Sequence, residues 1–251
     1  MNQPLTLADV VNPLWSLSDE IETLKREVAK GAGLSHDKSQ DARLVALSAI
    51  QKSLLVFGFW EAAGTNLKGI IQSTKGPNWE KDYRSALGIG PGLLPGDPNP
   101  VQTIENMMAT YLLNALSVSI HFQVDNLFAN LLRGLGETPG KTFAANSTAI
   151  LNSVGLPTSG IELDTLRALA SLRNSFHNNG IHRGEDLSIT LDGQKFEFKK
   201  GQPIQYSLPH LVALLKANVK VVSHILKSSR VSALKHPVSD DFASRLEWTG
   251  P

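Results

Sequence analysis

Apolar residues recur every three or four positions over most of the first two thirds of the chain, a pattern that predicts amphipathic helices. The first such stripe consists of Leu14, Leu17, Ile21, Leu24 and Val28. Ser16 and Asp19 have the spacing of a capping box at the start of this helix, and Gly31 and Gly33 are suited to end it. The sequence therefore predicts a first helix of about four turns.

Further helices are predicted on both sides of a Gly/Pro-rich stretch, GIGPGLLPGDPNP, which predicts a long loop. A helical region covers about 41–72, with Gly58 and Gly64 as potential breaks. After the loop, an N-cap asparagine and a first-position proline begin a long, central helix over about 99–133. Shorter helices are expected over about 143–154 and 161–177.

The period changes from helical to alternating near residue 187. LSIT and KFEF alternate on either side of Asp192 and Gly193, a sequence typical of a type I′ β-hairpin. Ser207 and Pro209 then suit the start of a final long helix. We expect a mainly α fold: a helical bundle with one small β-hairpin between the last two long helices.

Composition narrows the classes of protein to which the chain can belong. Its 251 residues are 41% hydrophobic, enough for a substantial core, and it has no cysteine, which excludes disulfides and thiolate chemistry. It begins without the basic and apolar regions of a signal peptide and has no run of about 18 apolar residues, so we expect a cytoplasmic protein outside the membrane. P-loop, dinucleotide-fingerprint and Gly-x-Ser-x-Gly motifs are missing, and no cofactor is predicted.

Basic residues are concentrated near the C-terminus although the formal net charge is only +1. Between residues 195 and 235 the acidic residue Glu197 stands against a set of basic residues: Lys195, Lys199, Lys200, Lys216, Lys220, Lys227, Arg230 and Lys235. Of these, Lys216, Lys220 and Lys227 share one face of the final predicted helix. This face is a candidate for binding RNA phosphates, although most such stripes are simply solvated.

The segment most suggestive of chemistry is RNSFHNNG, at the end of the helix predicted over 161–177. Arg173 and His177 continue the apolar stripe of that helix, where polar groups need partners or must line a cleft. Arginine matches phosphate geometry and histidine exchanges protons near neutral pH, so the pair is suited to metal-free phosphodiester cleavage. Asn174 and Asn178 are candidates for positioning the sugar or a phosphate oxygen.

A purely structural role for the same residues is the alternative. His177 is placed to interact favourably with a helix C-terminus, and Arg173 is placed to pair with a carboxylate such as Asp125. His121 and Asp125, four residues apart, are expected to form a hydrogen-bonded core pair rather than a second site.

The loop after this helix contains a second histidine and arginine. His182 and Arg183 are candidates for further RNA contacts, with a solvated loop as the alternative. No third ligand stands at a recognised interval from His177 and His182, so we predict no metal site.

RNSFHNNG, followed by another long helix, resembles the Arg-Asn…His motif of HEPN (higher eukaryotes and prokaryotes nucleotide-binding) domains. The similarity covers mainly residues 162–227. It implies an α-helical bundle, frequent homodimers and often metal-independent endoribonuclease activity in toxin-antitoxin, phage-defence or RNA-processing systems. The family's Arg and His correspond to Arg173 and His177, with Asn174 as the polar residue after the Arg. The interval between Arg and His is shorter than is usual in the family.

Two functional hypotheses follow. The first is a homodimeric, metal-independent endoribonuclease that acts on RNA. The second is a non-catalytic HEPN-like module that dimerises or binds nucleic acid, a partner protein or an antitoxin. The resemblance also suggests dividing the chain into an N-terminal helical region, 1–98, and a HEPN-like bundle, 99–251, which leaves open whether the two pack as one domain.

Overall fold

The computed structural model describes residues 7–35, 40–76, 79–86, 99–235 and 237–240. The helices before the hairpin are α1 (Leu7–Ala32), α2 (Ala42–Lys75), α3 (Trp79–Ala86), α4 (Pro100–Gly134), α5 (Phe143–Ser153) and α6 (Ile161–His177). The remaining elements are β1 (Leu187–Leu191), β2 (Gln194–Phe198), α7 (Leu208–Lys227) and α8 (Ser229–Ser232). The predicted fold class, a mainly α bundle with one hairpin between the last two long helices, is confirmed.

Helix α1 begins earlier than the sequence pattern predicts. It starts at Leu7 and passes through Pro13, so Ser16 and Asp19 lie inside the helix and the predicted capping box is wrong. The buried stripe that holds α1 against the core already includes Val11, so tertiary packing extends the helix beyond the local capping signal. The predicted C-terminal end is correct, because Gly33 adopts a φ of +70° just after the last helical residue.

Helix α2 is continuous through Gly58 and Gly64, the two potential breaks. Gly58 is instead a point of close approach to α1, since a Cβ there would lie 2.9 Å from the ring of Trp15. Gly64 has open space beside it. The buried residues of its N-terminal half, from Ala42 to Gly58, hold the helix to the core.

By length and mean hydropathy, α2 is also the one helix in the described ranges that could cross a membrane. Its sequence has no unbroken run of about 18 apolar residues, but it meets this broader measure because few of its residues are charged. Half of its most apolar stretch is buried in the fold, as in the core helix of a bundle.

The core is formed by buried side chains of every helix except α3, together with the hairpin. Leu127, Phe128, Leu131 and Leu132 of α4 are fully buried, in agreement with the central position predicted for this helix. Buried residues from both sides of the suggested 98/99 boundary belong to the same cluster. Residues 88–98 of the predicted Gly/Pro-rich loop lie outside the described residues.

The hairpin and the helices beside it follow the prediction closely. Asp192 and Gly193 have φ values of +47° and +74°, as a type I′ turn requires, and Leu191 pairs with Gln194 directly before and after it. The buried face of the hairpin consists of Ile189, Leu191, Phe196 and Phe198. This face packs on α6 and α7, which fixes the segment that leaves α6.

Candidate functional site at the end of helix α6

Arg173 and His177 lie on the last turn of α6. The helix ends there because Asn179 and Gly180 adopt positive φ values, and the amide of Gly180 donates to the carbonyl of Ser175 at 2.9 Å. This left-handed ending is the one that the Asn/Gly run predicts. It leaves the His177 side chain exposed, while Arg173, one turn earlier, is half-buried.

The guanidinium of Arg173 is held by a neighbouring amide rather than by a carboxylate. Its Nη1 donates to Oδ1 of Asn174 at 2.8 Å, and the described residues include no ion pair to Arg173. Asp125, the carboxylate considered as its partner, accepts from Nδ2 of Asn146 at 3.0 Å. The positive charge of Arg173 is therefore available to a ligand.

His121 of α4 lies near Arg173 and His177. Its side chain is 8% exposed, and its ring centroid lies 4.3 Å from that of Phe143. Burial lowers the pKa of His121 to about 4; the positive charges of Arg173 and His177 lower it as well, and Asp125 opposes them. His121 is thus a neutral imidazole at pH 7, close enough to Arg173 and His177 to interact with both electrostatically.

The two asparagines have different positions. Asn174 is exposed and orients the Arg173 guanidinium. Asn178 is half-buried, and its Nδ2 donates to the backbone carbonyl of Asn174 at 2.8 Å, so that its side chain helps to close the end of the helix. Of the two, Asn174 is the one in direct contact with the arginine.

His182 and Arg183 diverge although they are neighbours in sequence. His182 is 2% exposed; its Nε2 lies 2.8 Å from the carbonyl oxygen of Glu185 and its Nδ1 lies 3.5 Å from Oγ of Ser175. A carbonyl only accepts, so Nε2 carries the proton. This histidine fixes the loop and presents no nitrogen to solvent, whereas Arg183 is exposed. RNA contact is therefore compatible with Arg183 but not with the observed position of His182.

The lysine stripe of α7 contacts elements other than the end of α6. Lys216 lies 3.7 Å from Asp192 of the hairpin turn, and Lys227 lies 2.7 Å from Glu27 of α1. Lys220 lines a groove of about 430 Å³ between α1 and α7 whose other charged residues are Asp19, Glu20, Glu27 and Lys227. The carboxylates of α1 partly neutralise the stripe and oppose the approach of a polyanion.

Sequence reasoning assigned His121 to the core and did not include Asn146 at all. The burial of His121 is as predicted, but the expected hydrogen bond between His121 and Asp125 is not formed. Asp125 accepts a hydrogen bond from Asn146 instead. The signal for His121 was its place on the inward stripe of α4. The signal for Asn146 was weak, because it depends on how α5 packs against α4.

Within the described ranges, no group of three or more His, Cys, Asp or Glu side chains is arranged to hold a metal ion. The arrangement at the end of α6 offers a guanidinium, an exposed imidazole and a buried neutral imidazole, which together suit the binding of an anion and the transfer of a proton. Comparison of the chain with protein-family models, with curated proteins and with solved structures finds no match.

Proposed function

We propose that this protein is a metal-independent endoribonuclease of HEPN type that cleaves RNA at the end of α6. The observation that supports this most concerns the surroundings of Arg173. Its guanidinium lies beside two histidines and, among the described residues, has no carboxylate partner. A half-buried guanidinium in that situation is suited to stabilise a phosphate that gains charge in the transition state. The resemblance of RNSFHNNG to the HEPN motif supports the same assignment.

In the proposed reaction RNA supplies its own nucleophile. The 2′-oxygen bonds to the adjacent phosphorus, the bond from phosphorus to the 5′-oxygen breaks, and the products end in a 2′,3′-cyclic phosphate and a 5′-hydroxyl. One proton leaves the 2′-hydroxyl and one reaches the departing 5′-oxygen, so the reaction consumes neither water nor an oxidant. His177 transfers a proton, and Arg173 binds the non-bridging oxygens.

The neighbours of the pair have supporting roles in this scheme. Asn174 orients Arg173 through the 2.8 Å hydrogen bond, and Arg183 on the exposed loop contacts a flanking phosphate. His121 remains neutral beside them at pH 7, so it adds no positive charge of its own to the site.

The biological setting belongs to the same proposal. A homodimer would bring two α6 ends to one RNA, and a defence, toxin-antitoxin or RNA-processing role in the cytoplasm fits an activity that requires no cofactor. In a toxin-antitoxin system, an antitoxin would be the protein partner.

Incubation of the full chain with a mixed RNA pool in EDTA tests the activity. We expect wild type to produce fragments with 2′,3′-cyclic phosphate ends, and His177→Ala and Arg173→Ala each to lower the rate at least a hundredfold. His224→Ala is the matched control: His224 is also exposed but lies on α7, 3.9 Å from Glu162. Equal rates for wild type and His177→Ala would reject the assignment.

The second candidate is a non-catalytic HEPN-like interaction module. It is favoured by an exposed apolar surface on α2 and α4, whose most exposed side chains are Val56, Phe59, Trp60, Ile70 and Tyr111. Such a surface is typical of protein contacts. Binding of RNA or protein without cleavage by folded wild type would select this candidate.

A further inference from the structure

A second cavity lies in the outer parts of α2 and α4, beyond the main core. It has a volume of about 460 Å³ and is closed on one side by Tyr83 of α3. Glu105, on its rim, is 16 residues from His121 along α4, or about 24 Å at 1.5 Å per residue. The cavity is therefore separate from the proposed ribonuclease site, and a ligand bound in it would not depend on RNA cleavage.

The walls of this cavity are mainly apolar. They are formed by the side chains of Trp60, Ala63, Leu67, Met108, Ala109 and Leu112. A volume of some hundreds of cubic ångströms with apolar walls and a few polar groups is typical of sites for small organic molecules.

Most of the polar groups in the cavity already have partners. Nζ of Lys68 lies 2.8 Å from Oε2 of Glu105 and 5.6 Å from the ring centroid of Trp79. Burial raises the pKa of the Tyr83 hydroxyl, and the neighbouring carboxylate of Glu105 raises it further. The charges of Lys68 and Glu105 thus balance each other within the cavity.

Glu61 is the exception. It is half-buried on the cavity wall, and the described part of the chain gives it neither an ion pair nor a hydrogen bond. Burial raises the pKa of its carboxyl, and no neighbouring positive charge counteracts that effect. A carboxylate in apolar surroundings gains most from a cation that brings its own apolar body.

We propose that this cavity binds a small amphipathic organic cation, with its apolar body between α2 and α4 and its protonated amine paired with Glu61. Charge complementarity selects this ligand class over an anion, because the one unbalanced charge among the described residues that line the cavity is negative. Trp60 adds an aromatic side chain to the same lining, which favours an organic cation further.

Two glycines of α2 provide a matched pair of variants. Gly64 lines the cavity and Gly69 does not, and a Cβ at either position would meet no atom within 4 Å. Gly64→Phe places a ring at the cavity wall, whereas Gly69→Phe places the same ring on the exposed surface. Because both replace a glycine inside a helix, neither is expected to weaken the helix itself.

The test is calorimetric titration of the full chain with 1-naphthylmethylamine and with its uncharged counterpart, 1-naphthylmethanol. We expect the amine to bind at least tenfold more tightly than the alcohol, and Glu61→Gln to remove this difference. Gly64→Phe should weaken binding of both compounds at least tenfold, with Gly69→Phe binding both like wild type. Thermal melts followed by circular dichroism establish that each variant is folded.

Three results would overturn the proposal. Wild type that fails to bind the amine has no such site. Equal binding of amine and alcohol, unaffected by Glu61→Gln, means an apolar groove in which the carboxylate has no part. Binding that survives Gly64→Phe in a folded protein places the amine elsewhere. None of these results bears on RNA cleavage, which is measured separately.

Discussion

Asp41 and Arg43 form an ion pair that is buried completely, with exposures of 0% and 1%. Nε and Nη2 of the arginine donate to the two carboxylate oxygens at 2.9 and 2.8 Å. The same carboxylate accepts from the amide of Val238 at 2.7 Å, while Nη1 of Arg43 donates to the carbonyls of Val231 and Leu234 at 3.3 and 3.2 Å. The pair therefore ties the first turn of α2 to the segment that follows α7.

Replacing Asp41 by alanine should lower the free energy of unfolding by about 3–5 kcal/mol, because it breaks a buried ion pair and removes the carboxylate to which Arg43 and the amide of Val238 donate. Urea unfolding followed by circular dichroism measures this loss. Lys227→Ala is the control, since it breaks an ion pair to Glu27 whose partners are about half exposed, and should cost under about 1 kcal/mol. Similar losses for both variants would contradict the prediction.

Acidification should destabilise the protein through His121. Its pKa is about 4 in the folded chain and about 6.5 when unfolded, so the unfolded state binds the extra proton more readily. The stability it contributes is fully present above pH 6.5 and is lost as the pH falls towards 4. Between pH 7 and pH 5 this amounts to about 2 kcal/mol.

His121→Gln should remove that part of the pH dependence, measured as the difference in unfolding free energy between pH 7 and pH 5. His224→Gln, which removes an exposed histidine on α7, should keep the wild-type difference. The neighbouring residues Arg173, His177 and Asp125 are unchanged in both variants. If wild type and His121→Gln lose the same stability over this range, burial of His121 is not the cause.

The two glycines Gly58 and Gly69 of α2 should respond differently to alanine. Gly69→Ala should raise the unfolding free energy by about 0.5–1 kcal/mol, because its Cβ enters open space and alanine favours the helix. Gly58→Ala should lower it or leave it unchanged, since the new Cβ would lie 2.9 Å from the ring of Trp15, which must move to admit it. Thermal unfolding of both variants measures this difference. An equal gain in unfolding free energy in both would mean that the contact between α1 and α2 accommodates the new Cβ without cost.

The parts of the fold that could be predicted are those set by residues adjacent in sequence. The end of α6 depends on the left-handed conformations of Asn179 and Gly180, and the hairpin on those of Asp192 and Gly193. These conformational requirements are local, so a short stretch of sequence is enough to predict them. The start of α1 was missed because burial of Val11 against the rest of the bundle outweighs the local capping signal.

The candidate site was predictable only on one helix. Arg173 and His177 stand out in the sequence because they are polar residues at positions that continue an apolar stripe, but the position of His121 beside them depends on how α4 packs against α6. His182 shows the converse limit. Its sequence context resembles an exposed loop, yet Ser175, seven residues earlier, and the carbonyl of Glu185 hold it inside the fold.

Binding of a non-cleavable, 2′-O-methylated RNA should depend on Arg183 more than on Lys227. Arg183 is exposed on the loop that leaves α6, and its loss should weaken binding several-fold and reduce the slope of log affinity against log salt by about 0.7, the value for one single-strand phosphate. Lys227 lies 2.7 Å from Glu27, beside a groove that also holds Asp19 and Glu20, so Lys227→Ala should change affinity less than about twofold. Fluorescence anisotropy over a range of salt concentrations measures both quantities. A loss on Lys227→Ala as large as that on Arg183→Ala would instead place RNA along α7, away from the end of α6.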